Sequence, residues 1–587
     1  MRNQEIAEIL QAISGYLSME EDSFKSRAYE KAADNIGSKE ESVADLYKSG
    51  GLKALQQIEG VGVSLAEKIE ELIQTGKIKY HEDLKKKIPV DLAGLIKIEG
   101  LGPKNIKKLY VLLKIKDVAG LEKAARAGKI KKLDGFGEKS EEKILKGIEF
   151  LKSSGTRMIM GYAVPVSREI EVSLKKLKEV EEVAVAGSIR RRQETIGDID
   201  ILVASKKPKK VMEYFVTLPQ VLSVVAKGET KSSVKIKGGL NVDLRVVPRE
   251  SFGAALNYFT GSKDHNVALR QIAIDRGYKL NEYGLFSPVT RQKASYGGGL
   301  RMIAGKTEEE IYKKLGLDFI APELREMTGE ISAAKEKKLP KLVSYQDLRG
   351  DLQVQTSWTD GSGTILQMAE AAITCGLDYI VITDHTKRLA MTGGLDEKRL
   401  AEQGKEIDKV NAKIRKKNPG FVILKGTECD ILKDGSLDLS DKSLSKLDVV
   451  GASVHSYFNL PQKEQTDRIV KAMRNPQVDI IFHPTGRIIG KRAAYELDMD
   501  EIIRVAKETG TVLEIDAYPD RSDLKDEYIK KCVEAGVKLS IDSDAHAPAH
   551  FQFLGYGLSQ ARRGWAEKSD IINAWPVEKM LKSLKNA

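Results

Sequence analysis

The sequence predicts a multidomain protein that combines α+β and α/β architecture: helical N-terminal domains, a domain with a mostly antiparallel sheet, and a C-terminal distorted βα barrel. Three observations predict this class. The first 150 or so residues read as amphipathic helices between glycine turns, residues 155–250 contain short segments rich in valine and isoleucine, and from residue 349 strands alternate with helices. Each change of hydrophobic period marks a new kind of unit. A chain of 587 residues is long enough for three or more such units.

Composition excludes several classes of protein. Hydrophobic residues make up 41% of the chain, which is ordinary for a protein that buries a core. No apolar run reaches the roughly 18 residues of a membrane helix, and the N-terminal “MRNQEIAEILQAISGYL” reads as an amphipathic helix and not as a signal peptide. The widely spaced Cys375, Cys429 and Cys532 fit a reducing compartment and no disulfide framework. We therefore expect a cytoplasmic monomer without a membrane partner.

The net charge of +11 is unevenly distributed. Residues 1–330 carry 57 basic and 47 acidic side chains, whereas the remaining residues carry 39 and 38. An excess of positive charge in the N-terminal part indicates a polyanionic partner there. The alternative is that the excess reflects only a basic composition and no partner.

Three N-terminal segments repeat an apolar residue, a Gly-x-Gly turn and an amphipathic helix. They are “LQQIEGVGVSLAEKIEELI”, “LIKIEGLGPKNIKKLYVLL” and “IKKLDGFGEKSEEKILKGI”, with the glycine pairs Gly60/Gly62, Gly100/Gly102 and Gly135/Gly137. Two glycines permit a tight turn that approaches a ligand closely, and the next helix begins with unpaired N–H groups. Such a turn binds one phosphate without reading a base. One copy would equally fit a structural helical hairpin, but three copies followed by lysines favour nucleic-acid binding.

The stretch “GSIRRRQETIGDIDILV”, residues 187–203, carries two aspartates one residue apart in a predicted strand. Asp198 and Asp200 lie on one face of that strand. Asp243, in “NVDLRVV”, lies on a later strand that could pair beside the first. Three close carboxylates repel each other unless cations lie between them, and they can hold two Mg²⁺ ions about 4 Å apart for phosphoryl transfer. The alternative is that the acids are solvated on the open face of a half-buried sheet.

The residues upstream of these aspartates decide between the two interpretations. Gly187 and Ser188 offer a backbone N–H and a hydroxyl, and Arg191 offers a guanidinium fork, which together suit a triphosphate. The combination favours a site for metal ions and a nucleoside triphosphate.

These motifs, together with “NYFTGSKDHNVALR”, resemble the palm and thumb of the family X DNA polymerases, the DNA polymerase beta group. The resemblance covers residues 1 to about 326, and the glycine repeats within it resemble helix-hairpin-helix motifs. It implies that Asp198 and Asp200 bind both of two Mg²⁺ or Mn²⁺ ions. It also implies that Asp243 binds the catalytic ion and helps to activate the primer 3′-hydroxyl. The implied partners are gapped or primer-template DNA and dNTPs.

The same resemblance implies a nucleotide site. Ser188 and Arg191 would contact the triphosphate beside Gly187. The remaining implied positions are Tyr258, Phe259 and Gly261 under the incoming sugar, Asn266 and Arg270 at the minor-groove side of the new pair, and Lys263. Lys263 departs from the vertebrate pattern, which has an acid there, and we expect it to strengthen nucleotide binding before a metal ion arrives.

The N-terminal stretches “SRAYEKAADNIG” and “GVGVSLAEKIEEL” resemble the small N-terminal domain of this family. In some relatives a lysine at the position of Lys68 attacks an abasic sugar and forms a Schiff base. Ser64 and Tyr80 stand where the lyase-competent relative has lysines, so 5′-phosphate binding is expected to be weaker here. The alternative is a solvated lysine that contacts the DNA backbone.

Histidines mark the C-terminal part. Four of the seven histidines in the chain end predicted strands or follow them directly, and carboxylates accompany them: His385, His455, His483, His546, Asp360, Glu428 and Asp544. In a βα barrel the carboxyl ends of the strands form the rim where active sites lie. Imidazoles with carboxylates favour Zn²⁺, Mn²⁺ or Fe.

This set resembles the PHP domain, a metal-dependent phosphoesterase that follows the polymerase module in many bacterial and archaeal family X enzymes. The family uses nine ligands, of which seven match, and the other two belong to a His-x-His. This chain has Gln353 and Gln355 there, in “GDLQVQTSWTDG”. A neutral amide oxygen is a weaker ligand than imidazole, so we expect one metal ion to bind poorly. The 3′–5′ exonuclease and abasic-site endonuclease activities of the family depend on this site.

The sequence therefore predicts a gap-filling polymerase of base excision repair with a linked PHP domain. We expect an N-terminal lyase-like domain at 1–85, a fingers-like domain at 86–153, a palm at 154–254, a thumb at 255–326, a linker at 327–348 and the PHP domain at 349–587. One alternative is a phosphoesterase that processes DNA ends and uses the polymerase module for DNA binding. A second alternative is a non-catalytic DNA-binding scaffold.

Overall fold

The computed structural model describes residues 3–37, 39, 42–96, 98, 101–153, 157–236, 239–288 and 300–584. Helices, a mixed sheet, a small sheet and a parallel barrel follow one another along the chain, which confirms the predicted fold class. None of the described helices has the length and apolar character needed to cross a membrane.

The N-terminal part consists of short amphipathic helices around one apolar core. Buried side chains of this core run without a break from Ile6 to Ile148, across the predicted boundary at residue 85. The helices are α1 (Asn3–Met19), α2 (Ser23–Gly37), α3 (Val43–Leu55), α4 (Val63–Thr75), α5 (Lys79–Lys87), α6 (Leu92–Leu95), α7 (Pro103–Leu113), α8 (Val118–Arg126) and α9 (Glu138–Ser153).

The next unit is a five-stranded sheet in the order β2-β4-β7-β6-β5. Strands β4 and β7 are parallel and the other three pairings are antiparallel, so the prediction of a mostly antiparallel sheet is confirmed. Helices α10 and α12 pack against it through Ile170 and Phe215. The elements are β1 (Met158–Ile159), α10 (Met160–Lys175), β2 (Glu182–Val185), α11 (Gly187–Arg190), β3 (Thr195–Ile196), β4 (Asp198–Ala204), α12 (Pro208–Phe215), β5 (Val221–Lys227), β6 (Lys231–Ile236) and β7 (Asn241–Val247).

Helices and a three-stranded antiparallel sheet follow. Their elements are α13 (Phe252–Thr260), α14 (Lys263–Asp275), β8 (Lys279–Asn281), β9 (Gly284–Pro288), β10 (Leu300–Ala304), α15 (Glu308–Lys314) and α16 (Glu330–Glu336). Helix α16 lies inside the stretch 327–348 that we expected to be a linker. Ala334 is buried in the core of this unit, and Val343 is buried in the core of the barrel. The stretch therefore packs against both neighbours, although its many charges masked that role in the sequence.

The C-terminal unit is a seven-stranded parallel barrel in the order β11 to β17. A parallel bridge joins Val354, at the end of the first strand, to Ala545, three residues after the last strand, so the carboxyl ends of all strands meet at one rim. The strands are β11 (Gly350–Val354), β12 (Tyr379–Ile382), β13 (Val422–Asp430), β14 (Val449–Ser453), β15 (Ile480–Ile481), β16 (Val512–Asp516) and β17 (Leu539–Asp542). The helices are α17 (Ile365–Thr374), α18 (Glu397–Ile414), α19 (Asp441–Leu444), α20 (Gln462–Met473), α21 (Met499–Thr509), α22 (Asp526–Ala535), α23 (Leu554–Arg563) and α24 (Val577–Leu581).

Buried ion pairs join the sheet unit to the helices after it. Glu308 accepts bonds from Arg190 at 2.6 and 3.0 Å and from Arg325 at 2.6 Å. Burial alone would raise the pKa of Glu308, but the two arginines overcome this effect and hold the pKa at about 2. Glu308 therefore stays ionised and links the two units through Arg190.

Candidate active sites

The three aspartates predicted to bind metal ions come together on one face of the mixed sheet. Strands β4 and β7 run parallel with Asp200 opposite Asp243 and Asp198 opposite Asn241. Burial, reinforced by the charges of Asp198 and Asp243, raises the pKa of Asp200 to about 6. The repulsion expected from the sequence is therefore present, and a donor set of mutually repelling carboxylates fits divalent cations.

The Gly-Ser turn lies directly against these carboxylates. Gly187 has a φ of +62°, a conformation that favours glycine. A Cβ at Gly187 would lie 2.3 Å from Asp200 Oδ2, so only a residue without a side chain brings the backbone this close. Ser188 follows in α11 and is partly exposed beside the site.

Arg191 connects the turn to the segment that contains Tyr258. Its Nε donates to Glu326 Oε1 at 2.8 Å, and its Nη1 donates to the carbonyl oxygen of Thr260. A Cβ at Gly261 would lie 3.2 Å from Arg191 Nη1. The residues predicted to bind the triphosphate and those predicted to lie under the sugar therefore adjoin each other.

The other residues predicted to bind nucleotide lie on α13 and α14. Tyr258 is 36% exposed. The Asn266 amide donates to the Tyr258 carbonyl oxygen at 2.7 Å. Arg270 is one helical turn beyond Asn266 and on the same face of α14. Lys263 is exposed at the first position of α14, and its expected contribution to nucleotide binding stays a prediction.

Two basic residues near the aspartates were not predicted from the sequence. Arg245 places its guanidinium 4.4 Å from the centre of the Phe259 ring and lowers the pKa of Asp200 against the larger effect of burial. Lys231 Nζ lies 3.0 Å from Asp243 Oδ2. Arg245 lies two residues after Asp243 on β7 and therefore on the same face of the sheet, and this spacing could have identified it from the sequence. Lys231 lies opposite Arg245 in the β6–β7 register, which the sequence did not give.

The glycine turns of the N-terminal part have the expected form. Gly60 and Gly135 have φ values of +78° and +77°. Gly62 and Gly102 directly precede α4 and α7, and Gly137 directly precedes α9. A Cβ at Gly62, Gly102 or Gly137 would meet no described atom within 4 Å, so the turns are open to a ligand. Gly100 lies outside the described residues.

Lys68 lies on α4 and contacts the two residues that depart from the lyase pattern. Its Nζ donates to Ser64 Oγ at 2.9 Å and lies 5.6 Å from the centre of the Tyr80 ring. Lys31 on α2 pairs with Glu59 at 3.0 Å and donates to the Ser362 carbonyl oxygen of the barrel unit at 3.0 Å.

At the barrel rim, Glu428 is the common neighbour of three histidines. Its carboxylate oxygens lie 2.9 Å from His483 Nε2, 3.1 Å from His455 Nε2 and 3.1 Å from His385 Nδ1. Burial alone would raise the pKa of Glu428, but His385 and His455 hold it well below its usual range.

A second group adjoins the first through His385. Asp360 lies 3.5 Å from His385 Nε2 and 3.7 Å from His546 Nε2. Potential ligand atoms of Asp360, His385 and His546 lie within 4.8 Å of one another, as do those of His385, Glu428 and His455. Asp544 lies at the edge, 3.7 Å from His546 Nδ1 and 3.5 Å from Arg521. The donors fit metal ions at two adjacent positions that share His385.

The two glutamines face this rim from β11 and the residue after it. Gln355 Nε2 donates to Glu428 Oε2 at 2.9 Å. Among the described residues, Gln355 Oε1 and both amide atoms of Gln353 are buried without a hydrogen-bond partner. Buried polar atoms without partners are costly, which fits a cation or water as the missing partner.

The two sites define the class of protein. A mixed sheet that gathers three carboxylates beside a Gly-Ser turn is typical of a nucleotidyltransferase, and a parallel barrel with histidines and carboxylates at its rim is typical of a metal-dependent phosphoesterase. Residues 1–78 match the helix-hairpin-helix domain model, and residues 255–326 match the DNA polymerase beta thumb model.

Relatives cover both sites. The chain is 39% identical over 577 residues to the DNA polymerase/3′-5′ exonuclease PolX of Bacillus subtilis (strain 168), with 98% of each chain covered. It is 25% identical over 348 residues to DNA polymerase lambda of Rattus norvegicus, with 55% of this chain and 56% of the relative covered. The C-terminal part is 34% identical over 197 residues to a probable phosphatase of Thermoanaerobacter sp. (strain X514), with 31% and 72% covered. The chain belongs to the family X DNA polymerases and carries a linked PHP-like domain.

The crowding of the aspartates predicts a measurable instability. Because the pKa of Asp200 is about 6 in the folded protein and 3.8 in the unfolded chain, the folded state binds more protons between about pH 4 and pH 6. The free energy of unfolding without metal therefore falls as the pH rises through this window. We expect Asp200→Asn to stabilise the metal-free protein at pH 7 by up to about 3 kcal/mol, seen as a higher melting temperature.

The matched control for this experiment is Asp198→Asn, because Asp198 is on the same face but exposed. It should raise the melting temperature less. Mg²⁺ should stabilise the wild-type protein more than the Asp200→Asn variant. A variant that melts at or below the wild-type temperature would contradict the electrostatic interpretation.

Proposed function

We propose that this family X polymerase fills short gaps in DNA during base excision repair. It would transfer a nucleotidyl group from a dNTP to a primer 3′-hydroxyl with Mg²⁺ or Mn²⁺. The observation that carries the proposal is the in-register pairing of Asp200 with Asp243 beside Asp198 and the Gly187 turn.

In the proposed mechanism Asp198, Asp200 and Asp243 would hold the ions, which would supply charge stabilisation to the attacking and leaving oxygens. Asp243 helps to withdraw the proton of the primer 3′-hydroxyl, and Lys231 offsets part of its charge. Ser188 and Arg191 bind and orient the triphosphate.

The remaining nucleotide contacts in this mechanism come from α13 and α14. Tyr258, Phe259 and Gly261 lie under the sugar and exclude a ribose 2′-hydroxyl. Asn266 and Arg270 contact the nascent pair. The bond from Asn266 to the Tyr258 carbonyl couples these two tasks.

The N-terminal turns would hold the DNA backbone on both sides of the gap. Their open faces and the excess of basic residues support this role, and binding should weaken steeply with salt. We keep the division into lyase-like, fingers-like, palm, thumb, connecting and PHP units as a proposal, and propose a monomer that acts in the cytoplasm. Three free cysteines without disulfides fit that compartment.

The barrel would trim 3′ ends or cleave at abasic sites with Zn²⁺, Mn²⁺ or Fe. The name of the Bacillus subtilis relative includes a 3′-5′ exonuclease. Asp360, His385, Glu428, His455, His483, Asp544 and His546 are the proposed ligands. His483 is a buried imidazole whose pKa is lowered by burial and by Arg521, so it is neutral and able to bind a metal ion.

Gap filling is tested by Asp243→Ala. Loss of this carboxylate should lower the rate of single-nucleotide insertion on a gapped duplex at least about a thousandfold while DNA binding persists. The matched variant His455→Ala should lower nuclease activity and leave insertion unchanged. If the Asp243→Ala variant kept the full biochemical activity of the wild-type protein, the result would instead favour the alternative, a phosphoesterase that uses the polymerase module to bind DNA.

The glutamines at the rim predict an incomplete metal site. Because imidazole binds these metals more tightly than an amide oxygen, we expect Gln355→His to raise the bound metal per chain, measured by elemental analysis, and the rate of 3′-end hydrolysis. Gln355→Asn, which keeps an amide, is the control. Unchanged metal content and rate in Gln355→His would contradict this interpretation.

Lyase activity at Lys68 stays a prediction. A Schiff base formed by Lys68 on a 5′-deoxyribose-phosphate end would be trapped covalently by borohydride, and Lys68→Ala should abolish the trapped product. The contacts with Ser64 and Tyr80 predict a low yield, and Ser64→Lys should increase it. Wild-type protein that gives no adduct would rule the activity out.

A further inference from the structure

The loop that carries Arg191 is held by the barrel and not only by its own sheet. Residues 191–194 connect the Gly-Ser turn to β3 and β4. Three barrel side chains bind this loop: Arg563 Nη1 donates to the Arg191 carbonyl oxygen at 2.7 Å, Gln560 Nε2 to the Arg192 carbonyl oxygen at 3.2 Å, and Arg487 pairs with Glu194 at 2.7 Å. The loop therefore depends on the barrel for its position.

Arg563 also shares a carboxylate with the side chain of Arg191. Glu326 Oε1 accepts from Arg191 Nε at 2.8 Å, from Gln193 Nε2 at 2.5 Å and from Arg563 Nη1 at 3.1 Å. Arg563 is the last residue of α23, is 7% exposed, and is anchored by Asp526 at 2.5 Å. One rigid guanidinium thus contacts both the backbone of Arg191 and its counter-ion.

The charges at this junction compete with the proposed ligand. Glu326 attracts Arg191 away from a triphosphate, and a second cation on the same oxygen weakens that attraction. If Arg563 is removed, Arg191 is the one ion-pair partner that Glu326 keeps among the described residues, and the loop loses its bond at the Arg191 carbonyl. Both changes would leave the Arg191 fork less available to a phosphate.

We propose that Arg563 is a positioning residue for nucleotide binding, so that the PHP-like barrel forms part of the polymerase site. The proposal rests on the proposed triphosphate role of Arg191. It predicts a coupling that is independent of the metal ligands at the barrel rim, because Arg563 lies on an outer helix of the barrel.

The test is steady-state insertion of one nucleotide by the full-length protein on a gapped duplex at varied dNTP concentration. Arg563→Ala should raise the KM for dNTP about tenfold, the lower end of what one bond to a charged group contributes, with kcat within about twofold. Arg563→Lys keeps the charge but not the guanidinium fork, so its KM for dNTP should lie between that of the wild-type protein and that of Arg563→Ala. Arg562→Ala is the matched control, because Arg562 binds Glu323 and the Val343 carbonyl instead.

A second measurement separates positioning from general loosening of the interface. In a Glu326→Gln background the shared charge is gone, so Arg563→Ala should raise KM far less than it does in the wild-type background. An unchanged KM in Arg563→Ala or Arg563→Lys would overturn the proposal, as would an equal rise in Arg562→Ala. Wild-type protein that fails to insert a nucleotide would instead refute the proposed gap-filling function, so the two failures are distinguishable.

Discussion

The mutual repulsion of Asp198, Asp200 and Asp243 is the constraint on which the polymerase half depends. Parallel pairing of β4 with β7 forces Asp200 and Asp243 into neighbouring positions, and burial removes the water that would screen them. Because this repulsion destabilises the metal-free fold, the surrounding structure must supply the stability that keeps the three carboxylates together. The buried Glu308 with its two arginines and the apolar core of the sheet supply that stability.

The barrel rim also places ionisable groups close together, but in the opposite arrangement. There a single carboxylate, Glu428, lies among three imidazoles, and attraction replaces repulsion. Burial and the histidine charges act against each other on the pKa of Glu428, and the histidines prevail. The rim nevertheless leaves Gln355 Oε1, both amide atoms of Gln353 and His483 Nδ1 buried without a hydrogen-bond partner among the described residues. A bound ion or water would relieve the cost of leaving these atoms without partners.

Local patterns in the sequence predicted most of the fold and of both sites, because period, glycine turns and strand-end histidines are local signals. Asp198, Asp200 and the rim residues needed only their own strands. The sequence alone could not identify residues whose role depends on contacts with segments far away in the chain. Glu326 lies more than 130 positions from Arg191, and Arg563 lies more than 370 positions away. The stretch 327–348 shows the same limit, since its few buried residues pack into two different cores.

The proposed metal donors and the contacts to the loop 191–194 lie on different parts of the barrel, so one unit could serve both of the proposed tasks. Metal donors lie at the ends of the strands, whereas α23 lies outside and contacts the loop 191–194 through Gln560 and Arg563. The packing of α23 on β16 and β17 would persist even if the two glutamines weakened metal binding at the rim, because this packing does not require metal. The buried Leu558 and Ala561 hold that helix in place. A barrel with a weak metal site would therefore still hold the loop 191–194 of the neighbouring unit in place.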